Sequence, residues 1–220
     1  MRGIEQQLIA RDYGEYGKAR QPFDKAKDAG IVFLDQGNHE FRLDNGALFK
    51  VYASPFTPSL GDWGFQYGPQ QEHQFTIEDG THLVITHGPP LGVCDYVRNP
   101  GTPPLAGRGS LFAAVARARL LLHCFGHIHE GWVARYVTWR DEPTQNPSHF
   151  TGIENRALAV IETLSTIRDP VRKRSTCECD GRVTTKHSLQ DSLPLRRGRQ
   201  ALFVGVAMGG PSPGRLAHLP

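Results

Sequence analysis

The sequence predicts an α/β protein, and three observations carry that prediction. Two short apolar runs, residues 82–86 and 120–125, read as strands buried in a sheet, and each stops at a turn built of histidine and glycine. Between them, residues 111–119 place Phe112, Val115 and Ala116 at helical spacing, which gives one apolar face. Ahead of both, Phe41 and Leu43 alternate into Asn45-Gly46, and Leu48, Phe49 and Val51 alternate out of it, the pattern of a β-hairpin.

The chain has 220 residues, 39% hydrophobic and 21% charged, the composition of a globular protein with a real core. One large domain is the better expectation for that length. Lys and Arg total 25 against 22 Asp and Glu, so the net charge is only +3 and does not point to nucleic acid. No apolar run reaches the roughly 18 residues that a membrane helix needs. The opening Met1-Arg2-Gly3-Ile4-Glu5-Gln6 lacks the apolar stretch of a signal peptide, so a cytoplasmic location is expected. On that expectation Cys94, Cys124, Cys177 and Cys179 read as free thiols.

In chain order, residues 8–27 look helical but are interrupted by Gly14, Gly17 and Pro22, which predicts a broken helix. Residues 30–35 read as a short strand. After the hairpin, whose turn is expected to hold both Asn45 and Gly46 at positive φ, residues 52–67 are dense in Pro, Gly and aromatics and predict an ordered loop at a strand end. Ser110 is a plausible N-cap for the helix over 111–119. Residues 133–139 alternate as a further strand, and 157–167 form an apolar strand or short helix. Residues 168–199 hold nine Lys and Arg against four Asp and Glu and read as a polar, basic loop. Residues 201–207 are a last strand, followed by a Gly/Pro-rich tail. The resulting division is 1–167, 168–200 and 201–220.

The chemistry concentrates at two strand ends, Thr86-His87-Gly88-Pro89-Pro90 and Gly126-His127-Ile128-His129-Glu130. In α/β sheets, ligand sites lie outside the carboxyl ends of the strands. Imidazole is a good ligand for transition metals, and glycine lets the backbone pass close to an ion or a phosphate. Gly-His-x-His sets two imidazoles on one tight turn, able to serve one ion or two. Alone, His87-Gly88-Pro89-Pro90 reads more readily as a structural turn, and Gly126-His127-Ile128-His129 as readily either way; the two together point to metal. Cys177 and Cys179 with His187 form a weaker zinc candidate, because the cysteines are not at the usual spacing. Arg172-Lys173-Arg174 and Arg196-Arg197-Gly198-Arg199 read as solvated surface rather than a nucleic-acid patch. Glu130 and Trp132 are candidates for the wall of a substrate pocket.

The sequence resembles the calcineurin-like metallophosphoesterases, in particular a fungal and animal branch. The resemblance is carried by Tyr52-Ala53-Ser54-Pro55-Phe56-Thr57-Pro58, Trp63-Gly64-Phe65, Thr86-His87-Gly88-Pro89-Pro90, Val115-Ala116-Arg117-Ala118-Arg119 and Leu122-His123-Cys124-Phe125-Gly126-His127-Ile128-His129-Glu130-Gly131-Trp132. It is dense over 29–139 and resumes near 202–204. It implies a two-sheet sandwich flanked by helices and metal-dependent hydrolysis of small phosphate esters. It further implies divalent ions (Mn, Fe or Zn), two in the full family site and one or none here. By position it assigns His87 and His127 to the second metal and His129 to the first.

The chain departs from that pattern. It contains no Asp-x-His, and its single Gly-Asp, Gly61-Asp62, belongs to the aromatic loop. Gly37-Asn38-His39-Glu40 has the letters of the family's Asn-His motif but opens a hairpin strand. Two uses stay open for it: coincidence, or Asn38 as a ligand and His39 as the proton donor to the leaving group. Against the family, the chain reads as a domain whose N-terminal strands and motifs are missing. That leaves two function classes, a metallophosphoesterase, or a catalytically inactive remnant or binding protein. Uncovered sheet edges would favour self-association.

Overall fold

The computed structural model describes residues 11, 14–15, 17–58, 64–68, 70–97, 106–129, 132–142, 144–163, 178–179, 182–183 and 195–207. The chain divides into two compact units, Met1–Asp35 and Gln36–Pro220.

In the first unit a 3₁₀ turn, Lys18–Arg20, leads into helix α1, Gln21–Lys25, and a second 3₁₀ turn, Ala26–Ala29. Pro22 stands in the first turn of α1, where its missing N–H costs nothing. Gly30, at φ 77°, ends the run by donating its N–H back to Ala26 and Lys27. The helical reading of this segment therefore holds in broken form. The strand expected at 30–35 is not there. Its apolar residues fold back on the helix just before them. The Ile31 N–H bonds the Ala26 carbonyl at 3.1 Å, Phe33 packs on Phe23 at 5.2 Å, and Asp35 takes a two-pronged bond from Arg20 at 2.9 and 3.0 Å. These local bonds stand in place of a ladder, and the apolar side chains of Ile31, Val32 and Phe33 stay exposed.

The second unit holds the sheet. Its strands are β1 (Gly37–Arg42), β2 (Leu48–Ser54), β3 (Thr57–Pro58), β4 (Gln66–Tyr67), β5 (Leu83–Thr86), β6 (Leu122–Phe125), β7 (Val133–Thr138), β8 (Ala159–Thr163), β9 (Glu178–Cys179), β10 (Arg182–Val183) and β11 (Gln200–Gly205). Seven of them form one mixed sheet in the order β1-β2-β5-β6-β11-β7-β8, with two short ribbons, β3-β4 and β9-β10. The centre, β2-β5-β6-β11, is parallel, and antiparallel pairs flank it on both sides. The α/β class is as the sequence predicts. Among the described residues no helix is long and apolar enough to cross a membrane.

The hairpin forms where Asn45-Gly46 foretells it, with Arg42 opposite Leu48. Its turn differs from the expected one. Gly46 alone takes positive φ, at 82°. The Gly46 N–H bonds the Leu43 carbonyl at 2.8 Å, and the Leu43 N–H bonds that of Ala47 at 2.9 Å. This is a three-residue loop ending in a left-handed glycine, and Asn45 contributes its side-chain oxygen to the Ala47 N–H instead.

Helix α2, Gly109–Ala118, covers one face of the sheet. Leu111, Phe112 and Val115 bury against Tyr52, Val84, Phe125, Val137, Trp139, Ile153 and Phe203. The helix starts two residues earlier than expected: Arg108 occupies the N-cap without a side-chain bond, and Ser110 lies in the first turn. At the other end Arg119 is left-handed, and its guanidinium bonds the carbonyls of Gly198 and Arg140, tying two loops to the helix terminus. The opposite face of β5 is more open, since Ile85 is 39% exposed. The strand is thus buried on one side only, as its alternation along the register allows.

Candidate metal centre

The parallel register brings the two histidine turns together. Thr86, the last residue of β5, stands opposite Phe125, the last of β6. One step beyond each strand end, the backbones lock: the His87 N–H bonds the Ser54 carbonyl at 3.2 Å, and the His87 carbonyl accepts from the Gly126 N–H at 2.9 Å. The Ile128 N–H then turns back to the Gly126 carbonyl at 2.9 Å. That three-residue closure puts His127 at φ 71°, a γ-turn conformation that is rare for a residue with a β-carbon.

The result is a pair. His127 Nδ1 and His87 Nε2 lie 3.2 Å apart, with ring centroids at 5.0 Å and planes inclined by 62°. Partial desolvation holds the His127 imidazole below its ordinary range, and the neighbouring His87 and His129 push it the same way. It is therefore neutral at pH 7, the form that ligates metal. Both rings reach solvent. His129 is exposed on the same turn and joins the pair only through its field on His127. Among the described residues, no group of three or more His, Cys, Asp or Glu side chains is placed to hold an ion.

The donor set of the pair suits a metal. Two nitrogens bound at 2.0–2.1 Å to a tetrahedral ion stand about 3.3 Å from each other. The observed separation of 3.2 Å is close to that bite, but the contact is itself a hydrogen bond in which one ring nitrogen lends its proton to the other, so an ion would have to replace that proton and draw both rings toward itself.

Around the pair, the loops are tight and partly strained. Among the described residues, the non-glycine residues at positive φ are Phe65, Cys94, Arg119 and His127. Phe65, Cys94 and His127 sit in loops that follow β3, β5 and β6, and strain in folded proteins tends to accompany function. Gly88 approaches the Thr57 hydroxyl so closely that a β-carbon there would lie 3.2 Å from it. Thr57 in turn donates its N–H to the Phe65 carbonyl at 3.0 Å. Phe65 packs edge-on against Phe56, and His73 stacks on Phe56 and Tyr67 at 4.7 and 5.3 Å. The described part of the aromatic loop therefore meets the His87 turn at Thr57, with Phe65 59% exposed.

Asn38 and His39 are placed in the β1 ladder, opposite Tyr52 and Val51. The Asn38 amide donates to the Thr76 carbonyl at 2.7 Å and accepts from the Glu78 N–H at 3.3 Å. Its polar atoms serve the backbone of the neighbouring loop. Glu40 pairs with Lys50 at 2.9 Å. Trp132 is half-buried just before β7. Asp62, Trp63, Glu130, Cys177, His187 and the basic cluster 172–174 lie outside the described residues. Cys94 and Cys124 are free thiols; burial pushes Cys94 up to about 12.

The strand-end reading missed His123 and Thr86, which lie directly beneath the pair. The signal was available: along residues 122–125, alternation places His123 on the same side as Phe125, facing the core. His123 is fully buried and bonds the Thr86 hydroxyl through Nε2 at 2.9 Å.

Fold and site together define an α/β protein with a histidine pair at the carboxyl edge of a parallel sheet. Known proteins give that arrangement its relatives. The chain is 41% identical over 88 residues to metallophosphoesterase domain-containing protein 1 of Homo sapiens and equally to that of Mus musculus; the match covers 38% of this chain and 26% of theirs. It is 32% identical over 146 residues to a protein of Emericella nidulans named probable rhamnogalacturonate lyase C, covering 62% of this chain and 13% of that one. The chain thus spans about a quarter of the length of the human and mouse relatives. No protein-family model matches it. The likeness to the two mammalian proteins supports a metallophosphoesterase-like family.

Proposed function

We propose that His87 and His127 together hold one divalent ion, Mn, Fe or Zn, for the hydrolysis of a small phosphate ester. The observation that carries this reading is the 3.2 Å approach of two imidazole nitrogens beyond the carboxyl ends of adjacent parallel strands. The likeness to metallophosphoesterase domain-containing proteins supports it. When bound, the ion supplies a polarised phosphoryl oxygen and an ionisable water. The chain's own part is positional. The His87 carbonyl and Gly126 N–H fix the spacing of the two turns, and Gly88 admits the close approach of Thr57. His129, on the same turn as His127, would serve a second ion, as the family pattern implies.

The test is a titration of the purified chain with Zn²⁺ and Mn²⁺ by calorimetry, beside His87→Ala and His127→Ala. One tightly held equivalent, lost in each variant, is expected. Full retention of metal in both variants would refute the pair as ligands. A second reading, a binding protein without catalysis, draws on the commitment of Asn38 to the Thr76 and Glu78 backbone. A metal-loaded chain inert toward p-nitrophenyl phosphate and its diester would favour it.

A further inference from the structure

We infer that His123 is a positioning residue: its ring, through the Thr86 hydroxyl and the Gly88 carbonyl, sets the turn that carries His87. The inference rests on the reading of His87 and His127 as metal ligands and deepens it.

His123 occupies a position where a histidine is expensive. The register aligns Tyr52, Val84, His123 and Phe203 across four parallel strands, and all four are fully buried. Phe125 and Phe203 meet the imidazole edge-on at 5.0 and 5.5 Å. A leucine or phenylalanine would fill this row without a polar atom to satisfy.

The hydrogen bonds fix which tautomer is present. The Thr86 oxygen lies 2.6 Å from the Gly88 carbonyl. A carbonyl only accepts, so the one hydroxyl proton of Thr86 points there. Thr86 can then only accept from His123, whose Nε2 lies 2.9 Å away. The proton is therefore on Nε2, and Nδ1 carries a bare lone pair. That Nδ1 is buried and has no hydrogen-bond partner among the described residues. An orphaned buried nitrogen is a cost that calls for an explanation, and the single bond to Thr86 repays little of it in stability.

What the bond does accomplish is geometric. Thr86 and Gly88 flank His87. With the Thr86 side chain held from below and the carbonyl of the Gly88–Pro89 peptide held to it, the residues on both sides of His87 are tied together. The backbone of His87 is tied laterally to Ser54 and Gly126. Only the ring is left to face His127. Partners that orient metal ligands from behind are commonly worth tenfold or more in metal affinity.

The experiment uses the full chain and three variants. His123→Leu keeps the bulk and removes the donor, Thr86→Val removes the relay, and His123→Gln restores an N–H near the Nε2 position. Three readouts are compared: ¹⁵N spectra of the histidine rings, hydrogen exchange at the Gly126 amide, and calorimetric titration with Zn²⁺. Wild-type protein is expected to show His123 neutral and protonated on Nε2. His123→Leu and Thr86→Val should exchange Gly126 faster and bind Zn²⁺ about tenfold more weakly. His123→Gln should recover both. A general packing defect would not be rescued by glutamine. Protonation on Nδ1, unchanged exchange and affinity in His123→Leu, or a glutamine variant no better than leucine would each overturn the inference. Should His123→Leu fail to fold, Thr86→Val carries the same comparison. If wild-type protein binds no Zn²⁺, the metal reading falls, while ring spectra and Gly126 exchange still decide whether His123 sets the turn.

Discussion

Acid should destabilise this protein through His123 in a way that a single substitution can isolate. The imidazole is fully buried, and desolvation pushes its pKa down from 6.5 to about 3. The unfolded chain binds a proton at this residue below pH 6.5, and the folded chain refuses it. Stability from this source is whole above pH 6.5 and is lost as the pH falls, until the folded form also protonates near pH 3. Each pH unit inside that window costs about 1.4 kcal/mol. From pH 8 to pH 5 the loss is about 2 kcal/mol, and the limit at pH 3 approaches about 5 kcal/mol. With a urea slope of roughly 2 kcal/mol/M, the first step moves the unfolding midpoint by about 1 M. His123→Gln cannot take up the proton. Urea unfolding of both proteins at pH 8 and pH 5 should therefore show an extra loss of about 2 kcal/mol in the wild type alone. His73, His82 and His127 also titrate low, but they are common to both proteins and cancel in the difference. Equal losses in wild type and variant would refute the burial argument.

Three further outcomes follow from packing. Gly107→Ala should destabilise by about 2 kcal/mol or more, read as a urea midpoint, because a β-carbon there meets the Pro90 carbonyl and the Leu91 backbone at 2.6 Å. Phe112→Ala should cost about 3–5 kcal/mol in the same assay, since the ring is 1% exposed and packs edge-on against Trp139. Cys94 should resist iodoacetamide in the native state at pH 8 and react only on unfolding, because burial pushes its thiol up to about 12; mass spectrometry of the alkylated chain reads the outcome.

The parts of the fold legible in the sequence are those where periodicity and partner agree. Asn45-Gly46 marked the hairpin because alternating residues on both sides had a neighbour to pair with. Phe112, Val115 and Ala116 marked α2 because one helix face meets one sheet face. The strand expected at 30–35 failed because an apolar run does not name its partner: the Ile31 N–H closes on the Ala26 carbonyl, and Ile31, Val32 and Phe33 stay exposed. Ser110 misled as an N-cap because the helix began where Arg108 could leave the extended region without a side-chain bond. At the site, His87 and His127 were legible from the glycines beside them. Their mutual distance was not, because it depends on Thr86 and Phe125, 39 residues apart in the chain, falling opposite each other in the register. His123 was not legible from the strand ends, because its role comes from the strand's interior.

The position of β11 has a consequence for how the molecule is made. Residues 200–205 insert between β6 and β7, pairing parallel with one and antiparallel with the other. β6 and β7 are near neighbours in the chain yet have no ladder in common. Until the ribosome has released residue 205, the nascent chain holds two half-sheets with a strand-wide gap between them. Closure of the sheet is thus a late event that waits for a distant segment, the topology that slows folding. A stalled or shortened product would present two open edges in place of that one strand, which is a substrate for chaperones or for aggregation.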